Sequence, residues 1–186
     1  MRSVPQELKK DVKDISSKSF FSVGLSNAGK VYVWGIAKLS VSKIDLADIP
    51  EEVKNEKIAY VAAGTDHIVA IAESGKVYAW GNNKLGQYVK DEADLEEQSK
   101  NDGIAVMPEE VRNGTIDVAH VKKLVCGTQV SAILMDDGTL YIWGNTKTYS
   151  NIPKFKGKKF YDIDFTLTSV VGVSWDKKTI FTGVAG

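Results

Sequence analysis

The stretch SGKVYAWGNNKLGQY, residues 74–88, recurs further along the chain as DGTLYIWGNTKTY, residues 137–149. A shorter copy, AGKVYVWG, occupies residues 28–35. Each copy follows an apolar stretch that ends in a glycine-containing turn. Self-similarity at a spacing of tens of residues indicates a repeat architecture, in which each repeat is one supersecondary unit that stacks on its neighbours.

The turn glycines set the register of these copies. Gly64 and Gly127 lie 11 residues before the turn glycines of the second and third copies, and Lys18 holds that place in the first. A fourth, degraded copy, TSVVGVSWDKKTIFTG at residues 168–183, aligns if Gly183 matches the glycine of the Trp-Gly pair. This alignment puts Thr182 at the tryptophan position and a lysine, Lys177, at the turn glycine.

Prolines mark the same units independently. The chain has four prolines, and each opens one copy. They are Pro5, Pro50, Pro108 and Pro153, in the contexts PQEL, PEEV, PEEV and PKF. We therefore predict a single domain, residues 1–186, of four repeats at about 5–49, 50–107, 108–152 and 153–186.

Each repeat is predicted to consist of β-strands. YVAAG at residues 60–64 is a short apolar run, and HIVAIAE at 67–73 and KVYAWG at 76–81 alternate with period two. Ser-Gly and Asp-Gly are typical of the hairpin turns between strands. The segment that starts at each proline is predicted to form a further, outer strand. Four strands in about 45 residues is typical of a propeller blade, so the predicted fold class is all-β.

The second copy, VAAGTDHIVAIAESGKVYAWGNNKLGQY at residues 61–88, resembles the consensus repeat of the RCC1 family of β-propellers. The positions that carry this resemblance, and for which it implies a structural role inside the blades, are Trp34, Gly64, His67, Trp80, Gly127 and Trp143. The familiar form of the family has seven blades, whereas this chain has four repeats. The resemblance therefore implies a small or partial propeller of RCC1-like blades.

Composition excludes several functions. The 24 basic and 24 acidic residues balance, which argues against bulk attraction to nucleic acid or to an anionic membrane. The single cysteine allows no intrachain disulfide and fits a reducing compartment, so we expect an intracellular, cytoplasmic protein. No P-loop, G-x-G-x-x-G or G-x-S-x-G motif is present. We expect no enzymatic activity, no cofactor and no metal site.

Two charged segments are candidates for contact with other molecules. The acidic stretch KDEADLEEQSKND, residues 90–102, is either a solvated insertion or a loop that contacts a partner through Asp91, Glu92, Asp94, Glu96 and Glu97. The basic stretch at residues 147–161 contains Lys154 and Lys156, whose alternation favours an outer edge strand over a surface for single-stranded nucleic acid.

The ends of the repeat array suggest a function. We predict that Val4–Leu8 forms a strand that is free to pair with the last blade, either within a closed ring or, as we favour, between chains. The function predicted is a protein-interaction or assembly module, a subunit of a larger complex, with a protein partner or a second copy as ligand. The alternative, implied by the RCC1 resemblance, is guanine-nucleotide exchange on a small GTPase.

Overall fold

The structure is a computed structural model that describes residues 1–40, 43–82, 104–105, 107–145, 155 and 157–184. Three short α-helices, one 3-10 helix (Val118–His120) and thirteen strands make up the regular structure of the described part. The helices are α1 (Gln6–Lys10), α2 (Glu51–Lys54) and α3 (Glu109–Arg112). The strands are β1 (Asp14–Lys18), β2 (Phe21–Leu25), β3 (Val31–Gly35), β4 (Ile58–Ala63), β5 (His67–Ala72), β6 (Val77–Gly81), β7 (Ile104–Ala105), β8 (Val121–Cys126), β9 (Val130–Met135), β10 (Leu140–Asn145), β11 (Phe160–Phe165), β12 (Ser169–Ser174) and β13 (Ile180–Val184).

The strands form four antiparallel sheets, one from each repeat. Sheets 1, 2 and 4 have the orders β1-β2-β3, β4-β5-β6 and β11-β12-β13, and sheet 3 has the order β7-β10-β9-β8. Three consecutive strands of every repeat thus form a meander, because alternating apolar residues separated by tight turns favour local antiparallel pairing. The predicted all-β fold of blade-like repeats is confirmed.

The predicted strand at the start of the repeat is wrong for the first three repeats, and the start of the fourth, at Pro153, lies outside the described residues. Pro5, Pro50 and Pro108 each stand at the N-terminus of a short helix, with φ of −57°, −55° and −55°. Proline fixes φ near this value, and its missing N–H costs nothing here because the first N–H groups of a helix have no partner within the helix. An acidic residue follows in the first turn of each helix, where a carboxylate is favourable. The predicted edge strand Val4–Leu8 therefore does not exist, because Leu8 is a buried residue of α1.

A residue three places before the proline makes the edge pairing instead. Ala105 pairs with Gly144 in sheet 3, and Arg2 forms the matching isolated bridge with Gly35 in sheet 1. The additional edge segment of these two blades therefore pairs with the third meander strand of the repeat that follows it in the chain. It does not complete the blade of the repeat before it.

Successive sheets pack face to face and share a core. The first core joins sheets 1 and 2, the second joins sheets 2 and 3, and the third joins sheets 3 and 4. The helix of a repeat contributes to the core on its N-terminal side, as Val53 of α2 does in the first core and Val111 of α3 in the second. Each inner sheet is therefore buried on both faces by its neighbours, as expected for stacked repeats.

The fourth repeat has a longer second hairpin than the others. Ser174 N–H donates to the Thr179 carbonyl at 2.9 Å. In the third repeat Met135 N–H donates to the Thr139 carbonyl, so the two bonded residues are one position closer in sequence there. The extra residue shifts the last strand, so Gly183 pairs with Val170 just as Trp143 pairs with Ser131. Our alignment was wrong here, because Gly183 and not Thr182 occupies the tryptophan position.

Candidate interaction surface

All four sheets present equivalent turns at one end. These turns join the first and second meander strands of each sheet and lie at residues 19–20, 64–66, 127–129 and 166–168. The third meander strand of each sheet ends on the same side. We call this end of the molecule the turn face, and it carries the polar and apolar groups described below.

The repeat tryptophans do not contribute to this surface. Trp143 is fully buried, and Trp80 is 6% exposed with its indole N–H donating to the Leu46 carbonyl at 2.9 Å. Trp34 is half-buried beside Gly24, where a side chain would collide with its ring. The tryptophan outside the repeat pattern, Trp175, is exposed and lies at the opposite end of sheet 4, in the turn between β12 and β13.

His67 lies in the interior beneath the turn face. Its ring is fully buried and fills the space where a side chain of residue 64 would be, which explains glycine there. Nε2 is 2.9 Å from Ser131 Oγ, and Nδ1 is 3.6 Å from Asp66 Oδ1. Burial lowers the pKa of His67, but Asp66 and Cys126 outweigh this effect and raise it to about 9.

The Asp66, His67 and Ser131 side chains follow each other in the order of a catalytic triad. Sequence reasoning did not single out Ser131, which is 64 residues from His67. Both the imidazole and the hydroxyl are fully buried, so a substrate cannot reach the hydroxyl in this arrangement. The contact joins sheet 2 to sheet 3, which is a packing role.

Lys18 links the first sheet to the last. It stands at the position of Gly64 and Gly127, and its ammonium donates to the Phe165 carbonyl at 2.7 Å and to the Cys126 carbonyl at 3.2 Å. Burial lowers the pKa of Lys18, while the nearby carboxylate of Asp164 opposes that shift. The ends of β1, β8 and β11 therefore converge on one side chain at the turn face.

Two inner sheets carry a polar clamp on the turn face. In sheet 2 the Asn82 amide donates to Asp66 Oδ2 at 2.7 Å, and in sheet 3 the Asn145 amide donates to Gln129 Oε1 at 2.8 Å. In each sheet the asparagine also donates its backbone N–H to the backbone carbonyl of the same partner residue. The clamp holds the end of the third meander strand against the turn between the first two strands.

Sheet 1 keeps the backbone bond but replaces the clamp by apolar side chains. Ile36 N–H donates to the Phe20 carbonyl at 2.8 Å, at the positions of Asn82 and Asp66. Phe20 is 76% exposed and Ile36 is 52% exposed. Sequence reasoning missed both residues, although aligning the residues after the Trp-Gly pairs would have shown the change from asparagine to isoleucine.

Phe20 and Ile36 border a cleft of about 380 Å³ between sheets 1 and 2. Leu39 and Lys38 continue its wall on the sheet 1 side. The opposite side is polar, and its residues are Thr65, Asp66 and Asn82.

The loop that carries this wall is anchored to the N-terminal segment. The Arg2 guanidinium makes a bidentate contact with Asp45, at 3.0 and 2.7 Å, and it lowers the pKa of that carboxyl group. Leu46 N–H donates to the Ala37 carbonyl at 3.0 Å, which closes the loop.

Several predicted contact residues lie outside the described part of the chain. These are the acidic candidates Asp91, Glu92, Asp94, Glu96 and Glu97, and the lysines Lys154 and Lys156. Phe155, between those lysines, is buried and stacks on Phe160 with ring centroids 4.9 Å apart. This aromatic ring is therefore part of the third core and is not available to stack on a base.

Within the described residues, no group of three or more His, Cys, Asp or Glu side chains is arranged to hold a metal ion. None of the helices described here has the length and apolar character needed to cross a membrane.

Comparison with known proteins identifies the repeat. Residues 12–36 and 58–87, which contain the meanders of sheets 1 and 2, match the sequence model described as "Regulator of chromosome condensation (RCC1) repeat". These two segments are therefore RCC1 repeats by sequence, and the four sheets are RCC1-like blades in their fold. A search of curated proteins found no significant match.

Solved structures with the same fold include propellers from yeast and plants. Prp20p from Saccharomyces cerevisiae, described with its binding properties to Gsp1p and histones, matches at TM-score 0.60 and 21% identity over 96% of this chain and 46% of that one. Yeast RCC1 (Prp20) bound to Kap60 matches at TM-score 0.61 and 18% identity, over 92% of this chain and 43% of that one. The CRINKLY WD40 ectodomain of the Arabidopsis thaliana receptor kinase ACR4 matches at TM-score 0.60 and 19% identity, over 94% of this chain and 50% of that one. At these identities the likeness shows the fold alone, and the chain spans half or less of each structure.

Proposed function

We propose that the chain is a non-enzymatic interaction module that assembles with other protein surfaces through the free faces of its first and fourth sheets. The observation that carries this proposal is a change in exposure at one repeat position. Val23, Val69 and Ala132 are fully buried between adjacent sheets, whereas Val171 at the same position of sheet 4 is 36% exposed.

Other positions on the end faces follow the same pattern. Ile15 of sheet 1 is 60% exposed, while its counterparts Val61 and Ile163 are 3% and 1% exposed. Ile180 of sheet 4 is 68% exposed, whereas its counterpart Leu140 packs against the third core. Isolated apolar residues are common on protein surfaces, but these occupy positions that the other repeats use for blade packing.

The free face of sheet 1 also contains polar groups. Ser17 and Ser22 stand on sheet 1 where sheet 2 has Ala63 and Ile68, and their hydroxyls hydrogen bond at 2.8 Å. A mixed apolar and polar face is typical of an interface between separately folded units, since permanent interiors are more apolar. The end faces therefore suit association with a protein surface of similar character.

Light scattering on the purified chain tests this function. We expect species heavier than one 20.3 kDa chain, because the face of sheet 4 on one copy complements the face of sheet 1 on another. Val171→Asp and Ile180→Asp should shift the mass to a single chain, and Val12→Asp, at an exposed apolar residue outside the strands, is the matched control. A species of one chain at all concentrations, unchanged by these substitutions, would contradict assembly through the end faces.

Guanine-nucleotide exchange on a small GTPase is the second candidate, because the match of two segments to the RCC1 repeat is consistent with it. Release of labelled GDP from a panel of small GTPases, measured with and without the chain, tests it. Acceleration of release would replace the assembly role by a regulatory one. Unchanged release across the panel would remove this candidate.

A further inference from the structure

We propose that the cleft beside Phe20 and Ile36 is a docking site for an extended segment of a partner protein that carries an apolar side chain next to a carboxylate. This inference deepens the proposed interaction role by naming a second surface and the chemistry of its ligand. It rests on that role only in assuming that the protein binds other proteins.

Sheet 1 has an apolar pair where sheets 2 and 3 have a polar clamp. Sheets 2 and 3 show that the backbone geometry at this position is compatible with hydrogen-bonded polar side chains, at 2.7 and 2.8 Å. Sheet 1 has the same backbone bond between Phe20 and Ile36, so folding does not require apolar residues there. Large apolar side chains that are exposed without a packing role are typical of binding surfaces, and aromatic residues are enriched in their centres.

The Phe20–Ile36 pair is held in a fixed position by the residues next to it. Ser19 adopts a left-handed conformation with φ of 54°, which orients the turn that carries Phe20. Lys18, directly before it, is anchored to the carbonyls of Cys126 and Phe165. Gly35, directly before Ile36, exchanges two backbone hydrogen bonds with Arg2, at 3.0 and 2.9 Å. Pre-ordered contact groups lose little conformational entropy on binding, which favours affinity.

The charged residues that border the cleft indicate which charge a ligand should carry. Two of the residues that border the cleft are charged, Lys38 and Asp66. The Asp66 carboxylate already accepts a hydrogen bond from Asn82, and its other oxygen lies 3.6 Å from His67 Nδ1. Exposed Lys38 has no carboxylate within ion-pair distance among the residues that the structure describes, although its charge helps to lower the pKa of Asp45. Its ammonium is the positive charge that the cleft presents to a ligand.

The shape and polarity of the cleft favour a polypeptide. A volume of about 380 Å³ accommodates a few residues of extended chain. Hydroxyl groups of the exposed Ser19 and Ser40 lie beside the apolar pair and can exchange hydrogen bonds with a peptide backbone. A single lysine gives too little positive charge for a nucleic-acid backbone, which is bound through several phosphate contacts.

The test uses the full chain and a random peptide library as the probe. Peptides enriched on the immobilised chain are synthesised, and their affinities are measured by calorimetry. We expect enriched peptides to share an apolar residue adjacent to Asp or Glu. The double variant Phe20→Asp, Ile36→Asn installs the clamp of sheet 2, so it should fold and lose at least tenfold in affinity. Val12→Asn removes an exposed apolar side chain at the opposite end of sheet 1 and should bind like the wild type.

Two further measurements keep the result interpretable. Lys38→Gln should weaken binding at low salt and remove most of its salt dependence, because an exposed ion pair is screened by salt. In the unaltered protein, bound peptide should shift the NMR signals of Leu39 and Thr65, which gives a readout without any substitution. Folding of each variant is checked by its thermal melt.

Several results would overturn the proposal. They are a library that yields no binder, binders that are unaffected by the double variant, and binders whose NMR footprint excludes the cleft. If a peptide with the sequence of residues 90–102 binds better than any library peptide, the ligand is a segment of this chain and not a partner. Failure of end-face assembly leaves this result unaffected, since the cleft and the end faces are tested by different substitutions.

Discussion

Removal of the Trp80 side chain is a direct test of how the blades are held together. Trp80 belongs to β6, yet it packs into the core shared by sheets 1 and 2 and is 6% exposed. Its indole N–H donates to the carbonyl of Leu46, in the connection that leads from sheet 1 to α2. One side chain therefore contributes both apolar contact between two blades and a hydrogen bond to the segment that joins them.

The size of the effect follows from these contacts. Truncation of a buried tryptophan to alanine costs about 3–5 kcal/mol in unfolding free energy, because a cavity remains. A buried carbonyl that loses its donor adds a cost of about 1–3 kcal/mol unless water enters the cavity. Domains are stable by about 5–15 kcal/mol, so Trp80→Ala should bring the protein close to unfolding at room temperature.

Urea denaturation followed by far-UV circular dichroism measures this change. Trp80→Phe keeps most of the apolar volume and should lose about 1–3 kcal/mol, largely from the hydrogen bond. Trp175→Ala is the matched control, because Trp175 is 46% exposed and lies in the turn between β12 and β13. It should lose about 1 kcal/mol or less. A loss below about 1 kcal/mol for Trp80→Ala would show that the core between sheets 1 and 2 does not depend on this residue, and the packing argument would fail.

Two further substitutions test the contacts that anchor the turn face. Lys18→Met keeps the stem but removes the bonds to Cys126 and Phe165, and should lower the unfolding free energy by about 1–3 kcal/mol. Lys30→Met at an exposed position is the control, and equal urea midpoints for the two variants would exclude a bridging role for Lys18. Arg2 lowers the pKa of Asp45 below its ordinary 3.8, so the stability that this pair supplies is present above pH 3.8 and is lost as the pH falls through the lower folded-state pKa. The melting temperatures of the wild type and Asp45→Asn should therefore differ at pH 7 and converge towards about pH 2, and parallel curves would contradict this.

The meander strands were predictable because two independent signals coincide in them. A nearly continuous apolar run defines β5 and β9, which are buried on both faces, and the glycines at positions 75 and 138 adopt φ of 89° and 85° in the turns that follow. Only glycine accepts such backbone angles without strain, so these positions mark the hairpins from sequence alone. The family resemblance added the number of blades expected in a full ring, but the strands themselves follow from local pattern.

The helices were missed because their signal is short. The motif Pro-Glu-Glu-Val gives one turn of helix in α2 and α3, and one turn has no periodicity to detect. The acidic residues after proline were the available clue, because carboxylates near a helix N-terminus are favourable. The alignment error in the fourth repeat has a different origin. Gly183 lies at the distance expected for the glycine of a Trp-Gly pair, but the hairpin before it is one residue longer, so Gly183 occupies the tryptophan position.

The candidate cleft could not be found by the same reasoning, since its residues are adjacent only in space. Phe20 and Ile36 are separated by β2 and β3, and Asp66 and Asn82 reach the cleft from the next repeat. The strand pairing defines which residues of different repeats are equivalent. Comparison of these residues distinguishes an apolar side chain exposed at a candidate binding site from an apolar side chain exposed by chance. It shows two inner repeats with polar clamps and one terminal repeat with an apolar pair.

The two proposed surfaces can operate together because they lie on different sides of the blades. The end faces are formed by the broad sides of sheets 1 and 4, where Ile15, Val171 and Ile180 are exposed, whereas the cleft lies at the strand ends. Copies that associate head to tail in the way successive blades do would keep all turn faces on the same side. Each added copy would then place another Phe20–Ile36 cleft beside the last, and a partner with several acidic-apolar segments would bind with an effective concentration set by that spacing. End-face assembly would therefore strengthen binding at the turn face without any new contact in the cleft.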